Sequence, residues 1–248
     1  MASALRKPGE VCWLNILTPE PAQARHFFAT LLGWTYVDTG IGHTVQVDGH
    51  DIGALFDLAG PNTPKGTPPL IGLMVKVMSA DGAAERVRTL GGKARPPFDI
   101  GSAGRMSVCH DPNGAELDLW EPRSLQGMDV DASAQGAPTW FETMTTDVDR
   151  AAKFYSALFG WTARSTGAES LTFEFEGRPI GSATRWTLAG AQAYWATYFA
   201  VKDAELLSRQ AVQLGAEVFL PVMAVRDTRV VGICSPQGVP FYVMQRVG

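Results

Sequence analysis

Few residues in this chain have a type and spacing that could do chemistry on their own. Three cysteines, Cys12, Cys109 and Cys234, lie far apart in apolar stretches, which suits buried, reduced thiols. Four histidines, His26, His43, His50 and His110, fall on a predicted helix, around a hairpin and before a turn, with no metal-ligand interval between them. Divalent ions need three or four converging N, O or S donors, so no metal and no cofactor are expected. Phosphate-cradling loops, dinucleotide fingerprints and nucleophile elbows are also missing; Gly91-Gly92 follows a predicted helix instead of opening one. Two carboxylates, Glu142 and Asp118, are weak candidates for general acid or base, each without a visible partner. Around them stand tryptophans, tyrosines and methionines. That chemistry suits a flat, partly hydrophobic organic ligand held by stacking and a few hydrogen bonds.

The elements that must position these residues occur twice. Trp13 returns as Trp140, Phe27-Phe28 as Phe154-Tyr155 and Leu32-Gly33-Trp34 as Phe159-Gly160-Trp161, each 127 residues on. Gly91 and Gly215, Arg105 and Arg229, Pro112 and Pro236, and Gly114 and Gly238 match at 124. So small a drift is the mark of a duplication with a short loop deletion. Site chemistry should then appear twice or be lost in one copy.

Each half opens with a strand and a helix. Over Val11 to Leu17, Cys12, Leu14 and Ile16 share one face, Trp13 and Asn15 the other. Thr18 is the expected N-cap, with Pro19 at the first helical position. Ala24, Phe27, Phe28 and Leu31 follow at helical spacing, and Gly33 stops the helix; Ala151, Phe154, Tyr155, Leu158 and Gly160 are the copy. Strands follow near 34–38, 43–47 and 51–58. The unit then restarts with a strand at 71–77, a helix around 81–90 and strands near 93–98, 104–110 and 115–120. The second half reads as strand 139–145, helix 148–159 and strands to about 186, then strand 194–201, helix 203–214 and strands ending at Val243.

The reading is an α+β fold of four βαβββ modules paired into two domains, 8–121 and 138–248, with 122–137 as linker. A lone module of about 55 residues buries too little apolar surface to be stable. Pairing joins two sheets into an open cup with helices on the convex face and the ligand on the other. Alternation sends Leu117 and Leu119 under the helices and Glu116, Asp118 and Trp120 into the first cup. Trp13, Asn15, Phe56, Met74, Arg105 and Ser107 are expected beside them. The second cup is expected to receive Trp140, Glu142, Met144, Trp186, Tyr198, Arg229, Tyr242 and Met244. Blander roles exist: Trp13 and Trp140 as core filling the cup mouths, Asp118 with Arg105 as a stabilising ion pair, and each arginine as a loop brace.

Composition agrees with a globular protein: 248 residues, 46% hydrophobic and 19% charged. A net charge of −4 with no Lys/Arg cluster argues against nucleic acid as partner. No apolar run is long enough for a membrane span, and Met1 to Lys7 lacks the apolar region of a signal peptide, so a cytoplasmic location is expected.

The run Phe27-Phe28-Ala29-Thr30-Leu31-Leu32-Gly33-Trp34 and the turn Asp111-Pro112-Asn113-Gly114-Ala115-Glu116-Leu117 resemble the vicinal oxygen chelate superfamily, over nearly the whole chain. That superfamily includes glyoxalase I, extradiol dioxygenases, fosfomycin resistance enzymes and bleomycin-binding resistance proteins. The run Phe98 to Ser107 looks most like the two-domain actinobacterial group labelled "27-kDa antigen" or "hydroxylase-like", some of which accompany aromatic polyketide and anthracycline pathways. The resemblance implies two glyoxalase-like domains and a divalent ion on the cup floor, held from the first and last strands of each module. Those positions are expected at Trp13, Ala54, Gly72 and Asp118, and at Trp140, Ser182, Ala196 and Tyr242, which hold one carboxylate and no histidine.

The resulting expectation is metal-independent binding of a planar natural product or antibiotic-like compound, for sequestration, resistance or biosynthesis. The alternatives are a superfamily enzyme of lyase, isomerase, hydroxylase or dioxygenase type, and an interaction protein with vestigial cups. Because the duplicated chain already supplies the pairing, a monomer (pseudo-dimer) or a homodimer is expected.

Overall fold

A computed structural model describes residues 5–60, 63, 65–186 and 192–247, so Met1 to Ala4 of the stretch read for a leader lie outside the described residues. The first half runs β1 (Val11–Thr18), α1 (Pro21–Leu32), β2 (Thr35–Asp38), β3 (His43–Val47), β4 (His50–Asp57), β5 (Leu70–Lys76), α2 (Ala80–Thr89), β6 (Lys93–Ala94), β7 (Phe98–Ile100), β8 (Gly104–His110) and β9 (Glu116–Pro122). The second runs β10 (Pro138–Thr145), α3 (Val148–Phe159), β11 (Thr162–Gly167), β12 (Ser170–Phe175), β13 (Arg178–Arg185), β14 (Tyr194–Ala200), α4 (Ala204–Gln213), β15 (Glu217–Val225), β16 (Thr228–Cys234) and β17 (Pro240–Arg246). The strand expected at 93–98 is split into β6 and β7, because Pro96 and Pro97 between them have no N–H to give a ladder.

Each half is one mixed sheet. The orders are β2-β3-β4-β1-β5-β9-β8-β6, with β7 on β8, and β11-β12-β13-β10-β14-β17-β16-β15. The opening strand of each half is the seam: β1 runs parallel to β4 and antiparallel to β5, as β10 does to β13 and β14. Both sheets are open, so each keeps a concave face.

Two local expectations need correction. Helix α1 begins at Pro21, with Glu20 as N-cap and no side-chain cap. Thr18 is committed to β1, where it pairs with Asp57 and its carbonyl accepts from Leu58 N–H. The copy obeys the capping rule: Asp147 accepts from Arg150 N–H ahead of α3. Both helices end on a left-handed glycine, Gly33 at φ 77° and Gly160 at φ 75°. The second correction is on β1, where the pairing with β5 shifts register between Val11 and Trp13. The bulge turns Val11 into the main core and leaves Cys12 packed with the cup residues, not with Leu14 and Ile16.

The two halves share one core. Their convex faces meet, and α1 and α4, then α2 and α3, pack as pairs beside the contact of β5 with β14 and β17. Phe28 meets Phe241 at 5.2 Å between ring centres, and Trp34 meets Phe199 at 5.1 Å. The repeated Gly-Trp explains itself here. Trp34 Nε1 donates to Gly136 O at 2.8 Å, and Trp161 Nε1 donates to Gly9 O at 2.7 Å. Each half thus holds the backbone just ahead of the other half's first strand. Tyr155 on α3 adds a bond from its hydroxyl to Asp111 Oδ2 across the halves, at 2.9 Å.

Residues 123–137 contain no helix or strand, yet Met128, Val130 and Ala137 belong to the same core. Among the described residues no helix is long and apolar enough to cross a membrane.

Candidate functional site: two unequal cups

In the first cup, β1 contributes Trp13 and Asn15, β4 Phe56, β5 Met74, and β9 Asp118 and Trp120. Trp13, Met74 and Trp120 pack on one another with Cys12 and Ala54, joined by Phe56, Ala103, Met106 and Leu125. These side chains fill their own hollow, leaving Trp13 5% and Trp120 2% exposed. Trp120 Nε1 donates to Leu125 O at 3.0 Å, drawing the segment after β9 over the floor. Gly104 makes room for that indole, since a Cβ there would lie 2.6 Å from the ring.

Two polar side chains also meet in this cup. Asn15 Nδ2 donates to Asp118 Oδ2 at 3.1 Å, while the buried Asp118 Oδ1 has no partner. Burial, with repulsion from Glu116 added, pushes the Asp118 carboxyl up to about 7, against the stabilising bond from Asn15.

The second cup has a polar floor instead. Thr184 Oγ1 donates to Glu142 Oε1 at 2.6 Å, and the Tyr198 hydroxyl donates to Oε2 at 2.5 Å. Tyr198 stacks on Tyr242 at 4.8 Å, and the hydroxyls of Tyr194 and Tyr242 bond to each other at 2.9 Å. Burial is the main force pushing all three phenols above their ordinary value, so they remain hydroxyl donors. Trp140 Nε1 donates to Ser182 Oγ at 2.9 Å, and Trp186 meets Tyr194 edge to face. Trp140, Glu142, Met144, Trp186, Tyr194 and Met244 are all half-buried around the buried Tyr198 and Tyr242, whereas the two tryptophans of the first cup are buried and only its rim, with Asn15, Phe56 and Met106, is half-buried.

Three expected positions are corrected. Arg105, Arg229 and Ser107 lie on the helix side of their sheets. Arg105 pairs with Asp81 on α2 at 2.8 Å and with Asp99, and Arg229 pairs with Glu205 on α4 at 3.4 Å. Ser107 Oγ donates to Arg95 O, beneath the sheet. Cys109, two residues on from Ser107, packs in the main core, so the alternation of β8 puts Met106 in the cup and Arg105 opposite. No Asp118–Arg105 ion pair forms. Ser182 stands on the cup floor, where the resemblance put a metal position, but Thr184 and Tyr194 go beyond the sequence reading; both pair with Met144, and that cup-face parity is the available signal.

The remaining chemical groups are structural. Burial pushes the thiols of Cys12 and Cys109 up to about 12 and about 11. His50 pairs with Asp129 at 2.8 Å and His110 with Glu116 at 3.3 Å, apart from one another. A depression of about 550 Å³ between α1 and α4, lined by Gln23, His26, Phe27, Leu214 and Gln237 among others, lies outside both cups.

The sheet register also moves the expected metal positions. Asn15, not Trp13, shares a rung with Ala54 and Gly72, and Glu142, not Trp140, shares one with Ser182 and Ala196. With Asp118 and Tyr242, each quartet then contains a single carboxylate. One adds only an amide, the other a serine and a phenol held protonated. These residues do not fit a divalent ion. Among the described residues no three His, Cys, Asp or Glu side chains gather at one point.

Two open mixed sheets of paired βαβββ modules, with helices on the convex faces, define the two-domain architecture of the vicinal oxygen chelate superfamily. No family model matches the chain. A putative glyoxylase, CFP32 of Mycobacterium tuberculosis, is 28% identical over 251 residues, covering 96% of this chain and 95% of that one. The anthracycline biosynthesis protein DauV of Streptomyces sp. strain C5 is 29% identical over 258 residues, covering 96% and 94%. Among solved structures, the Mn(II)-bound glyoxalase from Novosphingobium aromaticivorans matches with a TM-score of 0.65 at 12% identity, over 99% of this chain and 84% of that one. The dioxygenase LapB of Pseudomonas sp. KL28 gives 0.63 at 12% identity, over 99% and 93%. The structural likenesses bear on the fold alone.

Proposed function

We propose that this protein binds a planar, partly hydrophobic small molecule without a metal, in its second cup, as a biosynthetic accessory or sequestration protein. The observation that carries this reading is the half-buried aromatic and thioether wall around Glu142, whose two oxygens are fixed by Tyr198 and Thr184. Rigid aromatic faces bind flat rings at low entropic cost, and the polar floor supplies orientation. Micromolar binding needs about 8 kcal/mol, more than stacking alone provides, so the floor must contribute. The likeness to DauV supports a compound of the aromatic polyketide kind.

Tryptophan fluorescence tests this directly. Titration with a panel of polycyclic aromatic compounds, on protein treated with a chelator, should give saturable quenching that Trp140→Ala weakens at least tenfold. A flat response across the panel rejects the reading.

An enzyme acting on such a compound is the second reading, favoured by the same observation: Glu142 is a positioned carboxylate in a cup of aromatic rings. Incubation of each bound compound with protein, followed by mass spectrometry, separates it from pure binding.

A further inference from the structure

Resting on the reading that the second cup binds an aromatic guest, we infer that the guest carries an alkylammonium group, received by Glu142 and the surrounding aromatic rings. Three observations lead there. First, the Glu142 carboxylate has no cation beside it. Among the described residues it accepts from two neutral hydroxyls, those of Thr184 and Tyr198, and pairs with no Lys, Arg or His. Four arginines of this sheet are engaged elsewhere, Arg164 with Glu174, Arg178 with Glu10, Arg185 with Glu169 and Arg229 with Glu205, and Arg246, at the end of β17, makes no ion pair with Glu142.

Second, the carboxylate still has room to accept. Each oxygen takes one hydroxyl bond, and each can accept a second. The two hydroxyls fix its orientation without cancelling its charge. A neutral guest seated over Glu142 would strip water from an unpaired anion, which is costly. An ammonium group replaces that water and supplies the missing charge.

Third, the walls suit a cation. Trp140, Tyr194 and Tyr198 gather around one carboxylate, with Trp186 edge to face on Tyr194, and ring faces attract ammonium groups. The first cup has lost this arrangement. Its counterpart of Glu142 is Asn15 and its counterpart of Tyr198 is Met74, both inside a self-filled hollow.

The test compares three guests with the same ring system: anthracenylmethylamine, anthracenemethanol and anthracene carboxylate, titrated calorimetrically into the full-length protein. The expected order is amine, then alcohol, then carboxylate, with the amine roughly tenfold tighter than the alcohol. High salt should weaken the amine and leave the alcohol unchanged. Glu142→Gln should abolish the tenfold preference for the amine over the alcohol, whatever it does to the affinity for the alcohol itself. Should Glu142→Gln fail to fold, the wild-type ratio and its salt dependence decide alone. Equal binding of amine and alcohol by the wild type overturns the inference but leaves the proposed function standing. Binding of none of the three, nor of any compound in the wider aromatic panel, removes the proposed function itself.

Discussion

The Tyr198 hydroxyl donates to Glu142 Oε2 at 2.5 Å, and the equivalent pair in the first half is Met74 beside Asn15. A duplicated scaffold has therefore kept its strands and exchanged the contents of its cups. One hollow has a fixed anion with hydroxyl donors; the other is packed with indole and thioether. This divergence, not the shared fold, separates a candidate site from a structural core.

Removing that hydroxyl should be felt. Tyr198→Phe deletes a hydrogen bond to a charged group, an effect of about 1.5–3 kcal/mol. Urea unfolding should show the loss. A variant as stable as the parent would mean that the carboxylate finds another donor.

The two cup tryptophans should behave differently. Trp13→Ala removes a buried indole from a self-filled hollow and should destabilise the protein by about 3–5 kcal/mol. Trp140→Ala, at a half-buried position, should cost about 1–2 kcal/mol while abolishing most guest binding. Paired melting and quenching measurements check both; equal stability losses would contradict the assignment of one cup to core and the other to ligand.

Asp118 gives a pH signature. Its carboxyl is pushed up to about 7 by burial, whereas an unfolded aspartate titrates near ~3.9. Between those values the folded chain keeps a proton that the unfolded chain has released. This residue's effect on stability is therefore most favourable below about pH 4, worsens as pH rises, and levels off above about 7. Asp118→Asn should flatten that slope and raise the melting temperature at about pH 8 relative to wild type. Parallel melting curves for the two proteins across this range would refute it.

The common core predicts common unfolding. Trp34, Trp161 and Tyr155 all bond across the halves, so calorimetry should show one transition with equal calorimetric and van't Hoff enthalpies. Tyr155→Phe, which leaves a buried Asp111 oxygen without its donor, should lower the midpoint by about 1–3 kcal/mol worth of stability without splitting the transition. Two resolved transitions would show that the halves are separate cooperative units.

Much of this was legible in the sequence, because the Phe27-Phe28 and Phe154-Tyr155 pairs, the repeated Gly-Trp and the repeated Pro-x-Gly turn have strong local causes. Helix α3 falls on the residues its apolar spacing marks, and the left-handed stops at Gly33 and Gly160 follow from the missing Cβ. The faces of β8 were harder to read. Both sides of that strand are covered, Cys109 by the core and Met106 by the filled cup, so polarity does not alternate cleanly and Arg105 was assigned to the wrong face. The bulge at Val11 and the rung shared by Glu142 and Ser182 depend on tertiary pairing, which single-strand periodicity does not encode. The Gly-Trp motif was visible, but its role in joining the halves needed partners more than a hundred residues away.

The most direct measurement is a crystal structure of chelator-treated protein grown with an amine-bearing polycyclic aromatic compound. The account predicts ring density against Trp140, Trp186 and Tyr194 with the amine at Glu142, no guest in the first cup, and no anomalous metal peak. A divalent ion held by Glu142, or a guest seated in the first cup or the α1–α4 depression, would contradict it.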